Sequence, residues 1–258
     1  MTYSSSEIFD RTARLAGPQG LVGLSRARVI VFGVGGVGAW AAETLVRTGI
    51  VHLTIVDADR VAPSNINRQL PALTSTIGQV KVDVLRRRLL DINPDADITA
   101  IHGLYTAETA HEYDLQSYDY IIDAIDSLAD KALLILNATH AIRDGHPKFY
   151  SSMGAALKMD PSRIGVTEFW SVKGCPLAAA LRRRFKKSGM FPARKFKCVY
   201  SDELVPNHPD YVKADAPADA SMKFNKVATN GSLMHITAIF GITLASLVIR
   251  DVIGKQDI

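Results

Sequence analysis

The sequence predicts an α/β fold, a Rossmann-like and mostly parallel sheet with helices on both faces. Three observations predict it. Short apolar runs alternate with stretches of helical period, a glycine-rich turn follows the first run, and two later runs stop on an aspartate, Asp57 and Asp123. Strands joined through helices lie parallel and need cover on both faces. Ligands of such sheets bind beyond the carboxyl ends of the strands. The glycine turn, Asp57 and the segment 123–126 are therefore expected along one edge.

Each element follows from local signals. Residues 28–33, Arg-Val-Ile-Val-Phe-Gly, form an apolar run stopped by glycine, the mark of a buried strand. Residues 37–48, rich in alanine and leucine and closed by Gly49, are expected to be helical. A second strand spans 52–56, and the polar segment 58–77 behind it has no clear period. A helix is expected from about 78 to 90, stopped by Asn93 and Pro94. Residues 98–101 and 120–122 make the third and fourth strands, 127–143 an apolar-periodic helix, and 148–151 the start of a further strand.

Beyond 151 the pattern loosens. It gives a strand over 163–169, a basic helix over 176–187 opened by Pro176, a strand over 196–201 and a long loop, a candidate for mobility, over 205–226. The apolar stretch 233–249 contains His235, Thr237, Gly241, Thr243 and Ser246. That length and polar content are borderline for a membrane span, and a buried helix packed on the sheet is the expectation.

Composition bounds the function. The chain has 258 residues, 47% hydrophobic and 22% charged, enough to bury a core without disulfide or metal staples. Its two cysteines, Cys175 and Cys198, cannot make a four-thiolate zinc site, and no clustered histidines supply the missing ligands. The first residues lack a basic start followed by an apolar run, so a cytoplasmic protein is expected. The formal charge of +4 is gathered in clusters: Arg86, Arg87 and Arg88; Arg182, Arg183, Arg184, Lys186 and Lys187; and Arg194, Lys195 and Lys197. Each is either a solvated helix face or a contact for a polyanion, and the proximity of the last two favours nucleic acid.

The segment 33–38 fits G-x-G-x-x-G through Gly33, Gly35, Gly36 and Gly38, between a strand and a helix. Glycines allow a tight turn and close approach to phosphate, and the helix start offers unpaired N–H groups. Asp57, at the end of the next strand, can accept both ribose hydroxyls. A nicotinamide-dependent dehydrogenase is the common reading of such a pattern, and three features oppose it. Ser64-Asn65-Ile66-Asn67-Arg68-Gln69 supplies groups suited to a triphosphate. Lys81, expected in a first helical turn, opposes the helix dipole unless it meets an anion. Asp123 and Asp126 close a strand at the ligand edge, where Asp126 either holds a magnesium ion or caps the helix that follows, a role Ser127 could also fill.

These residues, in this order, resemble the ubiquitin-activating-enzyme superfamily, which includes the bacterial ThiF and MoeB proteins, over roughly residues 10–170. Arg11-Thr12-Ala13-Arg14-Leu15, the segment 121–127, Pro176-Leu177-Ala178-Ala179 and Cys198-Val199-Tyr200-Ser201-Asp202-Glu203 are similar to the branch that dehydrates threonylcarbamoyladenosine in tRNA. The resemblance implies one adenylation domain over 1–258, with a nucleotide core over about 10–170 and a substrate and dimer extension over about 171–258. It implies ATP and magnesium as cofactors. ATP would lie against Gly33, Gly35, Gly36, Gly38, Asp57, Asp59, Asn65, Asn67, Arg68, Gln69, Lys81 and Ser127, with magnesium on Asp126. The implied catalytic set is Arg14, Arg68, Lys81 and Asp126, with Arg14 entering the neighbouring subunit of a homodimer.

The implied partner is tRNA, not DNA, with the two later basic clusters as its contact and a cysteine-desulfurase type of sulfur-transfer protein as a further candidate. Two alternatives stay open: adenylation of the C-terminus of a ubiquitin-like sulfur carrier, which often goes with a four-cysteine zinc site absent here, and a noncatalytic nucleotide-binding adaptor.

Overall fold

The computed structural model describes residues 5–214 and 230–254. Two helices, α1 (Ser5–Ile8) and α2 (Asp10–Arg26), precede the sheet, and α2 breaks at Gly17, where φ is +72° just before Pro18. The chain then alternates through β1 (Arg28–Phe32), α3 (Gly38–Thr48), β2 (His52–Val56), α4 (Lys81–Ile92), β3 (Asp97–Ile101), β4 (Tyr120–Asp123), α5 (Leu128–Ala141) and β5 (Lys148–Ser152). β6 (Ile164–Glu168), α6 (Pro176–Ser188), β7 (Lys197–Ser201), α7 (Pro209–Ala214) and α8 (Met234–Gly254) complete it. The seven strands lie in the order β3-β2-β1-β4-β5-β7-β6, all parallel except β6, which runs antiparallel to β7 at the edge.

The expected mostly parallel sheet is therefore present, with two local corrections. The helix expected from about 78 begins at Lys81, because Gly78 turns with φ +82° and Val80 bridges to Arg60 in extended form. The loop expected over 205–226 contains the short helix α7, and its residues 215–226 lie outside the described residues.

Alternating side chains of the buried strands divide the core. Val29 and Val31 of β1 face α3, α4 and α8, whereas Ile30 and Phe32 face α5 and α6. α8 is long and apolar enough to cross a membrane by composition alone, yet Ile236, Phe240, Leu244, Ala245 and Val248 are fully buried in the first of these layers. Gly241 makes its close packing on α3 possible: a Cβ there would lie 2.3 Å from the Val37 carbonyl and 2.8 Å from Trp40 Cβ.

Candidate active site

Strand order places the site. β1 and β4 are neighbours with Phe32 opposite Asp123, so the glycine turn after β1 lies against the loop after β4. Ala124 N donates to the Phe32 carbonyl at 2.8 Å, and a Cβ on Gly33, whose φ is +84°, would stand 2.7 Å from the Ala124 carbonyl oxygen. A Cβ on Gly38 would meet the Gly33 carbonyl oxygen at 1.8 Å, so α3 starts folded back on the turn. Side chains are excluded at both positions by backbone, so an anion can approach the turn and the start of α3 closely, where Ala39 N bonds the Gly35 carbonyl at 3.3 Å. Behind the turn stands Thr237 of α8, 3.2 Å from where a Gly36 Cβ would be.

Asp57 ends β2 beside this turn. Its Oδ2 accepts from Val34 N and its Oδ1 from Asp59 N, each at 2.8 Å. The carboxylate thus ties the turn to the next strand, and its remaining lone pairs can still receive hydroxyls. Asp59 is exposed and takes a different role from the one expected: its Oδ2 lies 2.7 Å from Nζ of buried Lys81. This ion pair offsets the unfavourable placement of a cation at the first position of α4.

The segment 62–69 folds as a short 3-10 turn over Pro63–Asn65, in which Asn65 Oδ1 accepts from Ala62 N at 3.0 Å. Asn65 is occupied with its own turn. Arg68 Nη1 donates to the Ser64 carbonyl and to Asn67 Oδ1, both at 2.9 Å, and Asn67 Nδ2 donates to the Ser232 carbonyl at 2.9 Å. Asn67 therefore holds Arg68 and fastens this loop to the segment that enters α8. Gln69 is buried beside Gly35, and among the described residues its Oε1 has no hydrogen-bond partner.

At the end of β4 the two aspartates divide their work. Asp123 is fully buried: its Oδ2 lies 2.8 Å from Lys131 Nζ and accepts from Ser151 Oγ at 2.7 Å, while Oδ1 accepts from Ile125 N at 3.1 Å. Asp126 is exposed, with no side-chain partner among the described residues, and it does not cap α5. Ser127 occupies the cap position, but its side chain makes no capping bond. Lys131 and Ser151 were absent from the sequence-based set. The available signal was a lysine on the same helical face as Ile135, Ala138 and Thr139, all buried.

The remaining expected residues lie elsewhere. Arg14 sits on α2 with its Nε 2.8 Å from Asp10 Oδ2, exposed to solvent. Phe9, one turn earlier, packs beneath Gly49, ahead of the amino end of β2, and among the described residues Arg14 pairs with Asp10 and not with the glycine turn of its own chain. Arg183, Arg184, Lys186 and Lys187 are exposed along α6, and Arg194, Lys195 and Lys197 are exposed ahead of β7. α6 descends from the carboxyl edge, so these cations gather toward the amino end of β7, across the sheet from the nucleotide turn. Arg182 is a correction: it donates to the carbonyls of Phe169 and Val172 at 3.2 and 3.0 Å and packs over the Phe169 ring. The cluster at 86–88 is likewise structural, since Arg86 bonds the Ile98 carbonyl, Arg87 bonds Gln79 and Arg88 pairs with buried Glu43. Burial acts to raise the Glu43 carboxyl, but hydrogen bonds from Arg88 and Arg47 outweigh it and hold it below the usual range.

Cys175 and Cys198 are buried and unbridged, and burial pushes the Cys198 thiol well up, away from the thiolate a thioester chemistry would need.

The ThiF family model matches residues 9–258. The chain belongs to the ThiF family. Within it, the chain is 36% identical over 255 residues to the tRNA threonylcarbamoyladenosine dehydratase of Escherichia coli K12, covering 96% of this chain and 94% of that protein. It is 33% identical over 251 residues to the protein of the same name from Bacillus subtilis 168, covering 97% and 96%. The crystal structure of the E. coli dehydratase in complex with ATP superposes with a TM-score of 0.81 at 33% identity, over 99% of this chain and 98% of that one. This ThiF-family chain thus shares fold and extent with an enzyme that holds ATP.

Proposed function

We propose that the chain is an ATP-dependent tRNA threonylcarbamoyladenosine dehydratase. The observation that supports it best is the end-to-end likeness to dehydratases of that name, at 36% identity over 96% of the chain. The geometry fits the chemistry. A glycine turn at the start of α3 faces an edge that also carries Asp57, Arg68, Lys81 and Asp126. In the proposed reaction the threonyl carboxylate of the modified adenosine attacks the α-phosphate of ATP, and pyrophosphate leaves. The carbamoyl group then closes on the activated carbonyl and expels AMP, giving the cyclic, oxazolone-type product. Ring closure is intramolecular, so positioning replaces a protein nucleophile.

The residues carry this by placement and charge. The turn over Gly33, Gly35, Gly36 and Gly38 receives the phosphates, and Asp57 orients the ribose. Lys81, buried and already held against a carboxylate, exchanges Asp59 for a phosphate oxygen. Arg68, aimed by Asn67, neutralises the departing pyrophosphate. Magnesium fits Asp126: the ion commonly takes one or two carboxylates together with substrate phosphates, and this carboxylate is exposed at the right edge with no ion pair among the described residues. Bound there, it would neutralise charge on the phosphates. Among the described residues no group of three or more acidic, histidine or cysteine side chains offers an all-protein metal cage, which suits a substrate-completed site.

Arg14, exposed on α2, serves the neighbouring subunit of a homodimer in this reading. The exposed cations of α6 and of residues 194–197 suit the tRNA body beyond the modified nucleotide, working in the cytoplasm. Both cysteines are buried, so a sulfur-transfer partner would bind without using a surface thiol of this chain.

Incubation of the purified protein with ATP, magnesium and tRNA carrying threonylcarbamoyladenosine, followed by nucleoside mass spectrometry, tests it. Loss of one water from that nucleoside, with AMP formed, is the expected result. Pyrophosphate exchange stimulated by a ubiquitin-like carrier and not by modified tRNA would overturn it.

A further inference from the structure

The loop 124–127 carries Asp126 yet offers that carboxylate no side-chain partner among the described residues. Something else must fix it against the glycine turn. The peptide groups flanking Ile125 are held from both sides: Ile125 N donates to Asp123 Oδ1 at 3.1 Å, and Lys131 Nζ donates to the Ile125 carbonyl at 2.9 Å. Lys131 and Asp123 are themselves paired at 2.8 Å, both wholly buried, and Ser151 Oγ completes the carboxylate at 2.7 Å. A buried ion pair gains little stability over an apolar replacement of the same volume, because both charges lose their water. What it supplies here is two fixed donor–acceptor directions into one loop.

Resting on the adenylating reading above, we propose that Lys131 is a positioning residue. Through the pair with Asp123 it clamps Ile125 and so sets where Asp126 presents its oxygens to the magnesium nucleotide. Lys131 touches neither nucleotide nor metal, being fully buried beneath the loop. Its loss acts first on the loop that carries Asp126; the glycine turn touches that loop at Ala124 but is also tied to Asp57 through Val34 N, and Arg68 and Lys81 are anchored through other contacts.

The test is calorimetry of ATP binding to the full chain, with magnesium and with EDTA, on the parent and on the double variant Lys131→Met, Asp123→Asn. The double substitution avoids stranding one buried charge. Leu134→Ala, on the same helix and equally buried, controls for loss of stability. The double variant is expected to bind ATP in EDTA within about twofold of the parent while requiring about tenfold more magnesium, the lower end of what outer-shell groups contribute to metal affinity. Leu134→Ala is expected to leave the magnesium requirement unchanged.

An unchanged magnesium requirement in the double variant, or an equal loss of ATP affinity with and without magnesium, would overturn the inference alone. Should the double variant fail to fold, Ser151→Ala decides: a higher magnesium requirement supports the clamp and an unaltered one overturns it. A parent that binds ATP under neither condition would remove the adenylating reading, and this inference with it.

Discussion

Nζ of Lys81 lies 2.7 Å from Oδ2 of Asp59, a buried cation tied to an exposed carboxylate at the start of α4. The lysine is preorganised at the edge of the glycine turn, and its partner is the more easily displaced of the two because it faces solvent. Lys81→Met keeps the volume and removes the charge. It is expected to lower kcat by about 10²-fold, as for loss of a single preorganised donor to a developing charge. Asp59→Asn leaves the ammonium in place and is expected to change kcat by less than about tenfold. Pyrophosphate release under saturating ATP distinguishes the two.

The glycines differ in what a methyl group would strike. At Gly38 a Cβ meets the Gly33 carbonyl at 1.8 Å, whereas at Gly36 it meets only Thr237 side-chain atoms at 3.2 to 3.3 Å. Gly38→Ala is expected to cost about 1–3 kcal/mol of stability and to abolish ATP binding, since backbone must move. Gly36→Ala should be milder, and Thr237→Ala should restore part of what it loses. Urea unfolding and ATP calorimetry on the three variants check this.

Cations that look alike in sequence are expected to act differently on RNA. Arg88 is committed to Glu43, and Arg182 to two carbonyls and the Phe169 ring. Lys187 and Arg194 are exposed with no ion pair among the described residues. Charge removal at Lys187 and Arg194 should weaken tRNA binding and flatten its dependence on log salt, by up to about 0.9 in slope for each phosphate no longer neutralised. Arg88→Ala should leave that slope unchanged while lowering the melting temperature. Filter binding over a salt series separates the two classes.

Alkaline pH should loosen the seat of α8. Burial, with a contribution from Asp251, pushes the Tyr150 phenol up to about 12, and Tyr120, whose hydroxyl donates to Asp251 at 2.6 Å, is raised further by burial and that bond. A phenol whose pKa is higher folded than unfolded contributes stability that is fully present below about pH 10 and is lost as pH rises toward 12. Tyr150→Phe removes its share of the titration. It should equal the parent at pH 8 and exceed it at pH 11.5 by about 1–2 kcal/mol. Urea denaturation at the two pH values reads it.

Much of this was legible in the chain. Apolar runs ended by glycine or aspartate gave β1, β2 and β4, because a strand buried on both faces must be apolar along most of its length. The glycine spacing, Asp57, Lys81 and Asp126 stood out because each adjoins a strand or helix end, and in a parallel sheet those ends converge on one edge; Arg68 lies in a turn between elements and stood out by residue type alone. The family followed from their order along the chain. These things the sequence determined by itself.

Tertiary structure alone decided how the charges were shared. Nothing local distinguishes Arg88 from Arg183, or Asp123 from Asp126, since each pair shares residue type and similar neighbours in sequence. Packing of α4 against α3 gave Arg88 to Glu43, and the first turns of α5 carried Lys131 under β4 to Asp123. It also took the fold to bring Thr237, some two hundred residues away in sequence, behind Gly36. A charge's role depends on which opposite charge or carbonyl reaches it within about 3 Å, and that distance is set by the packing of elements far apart along the chain.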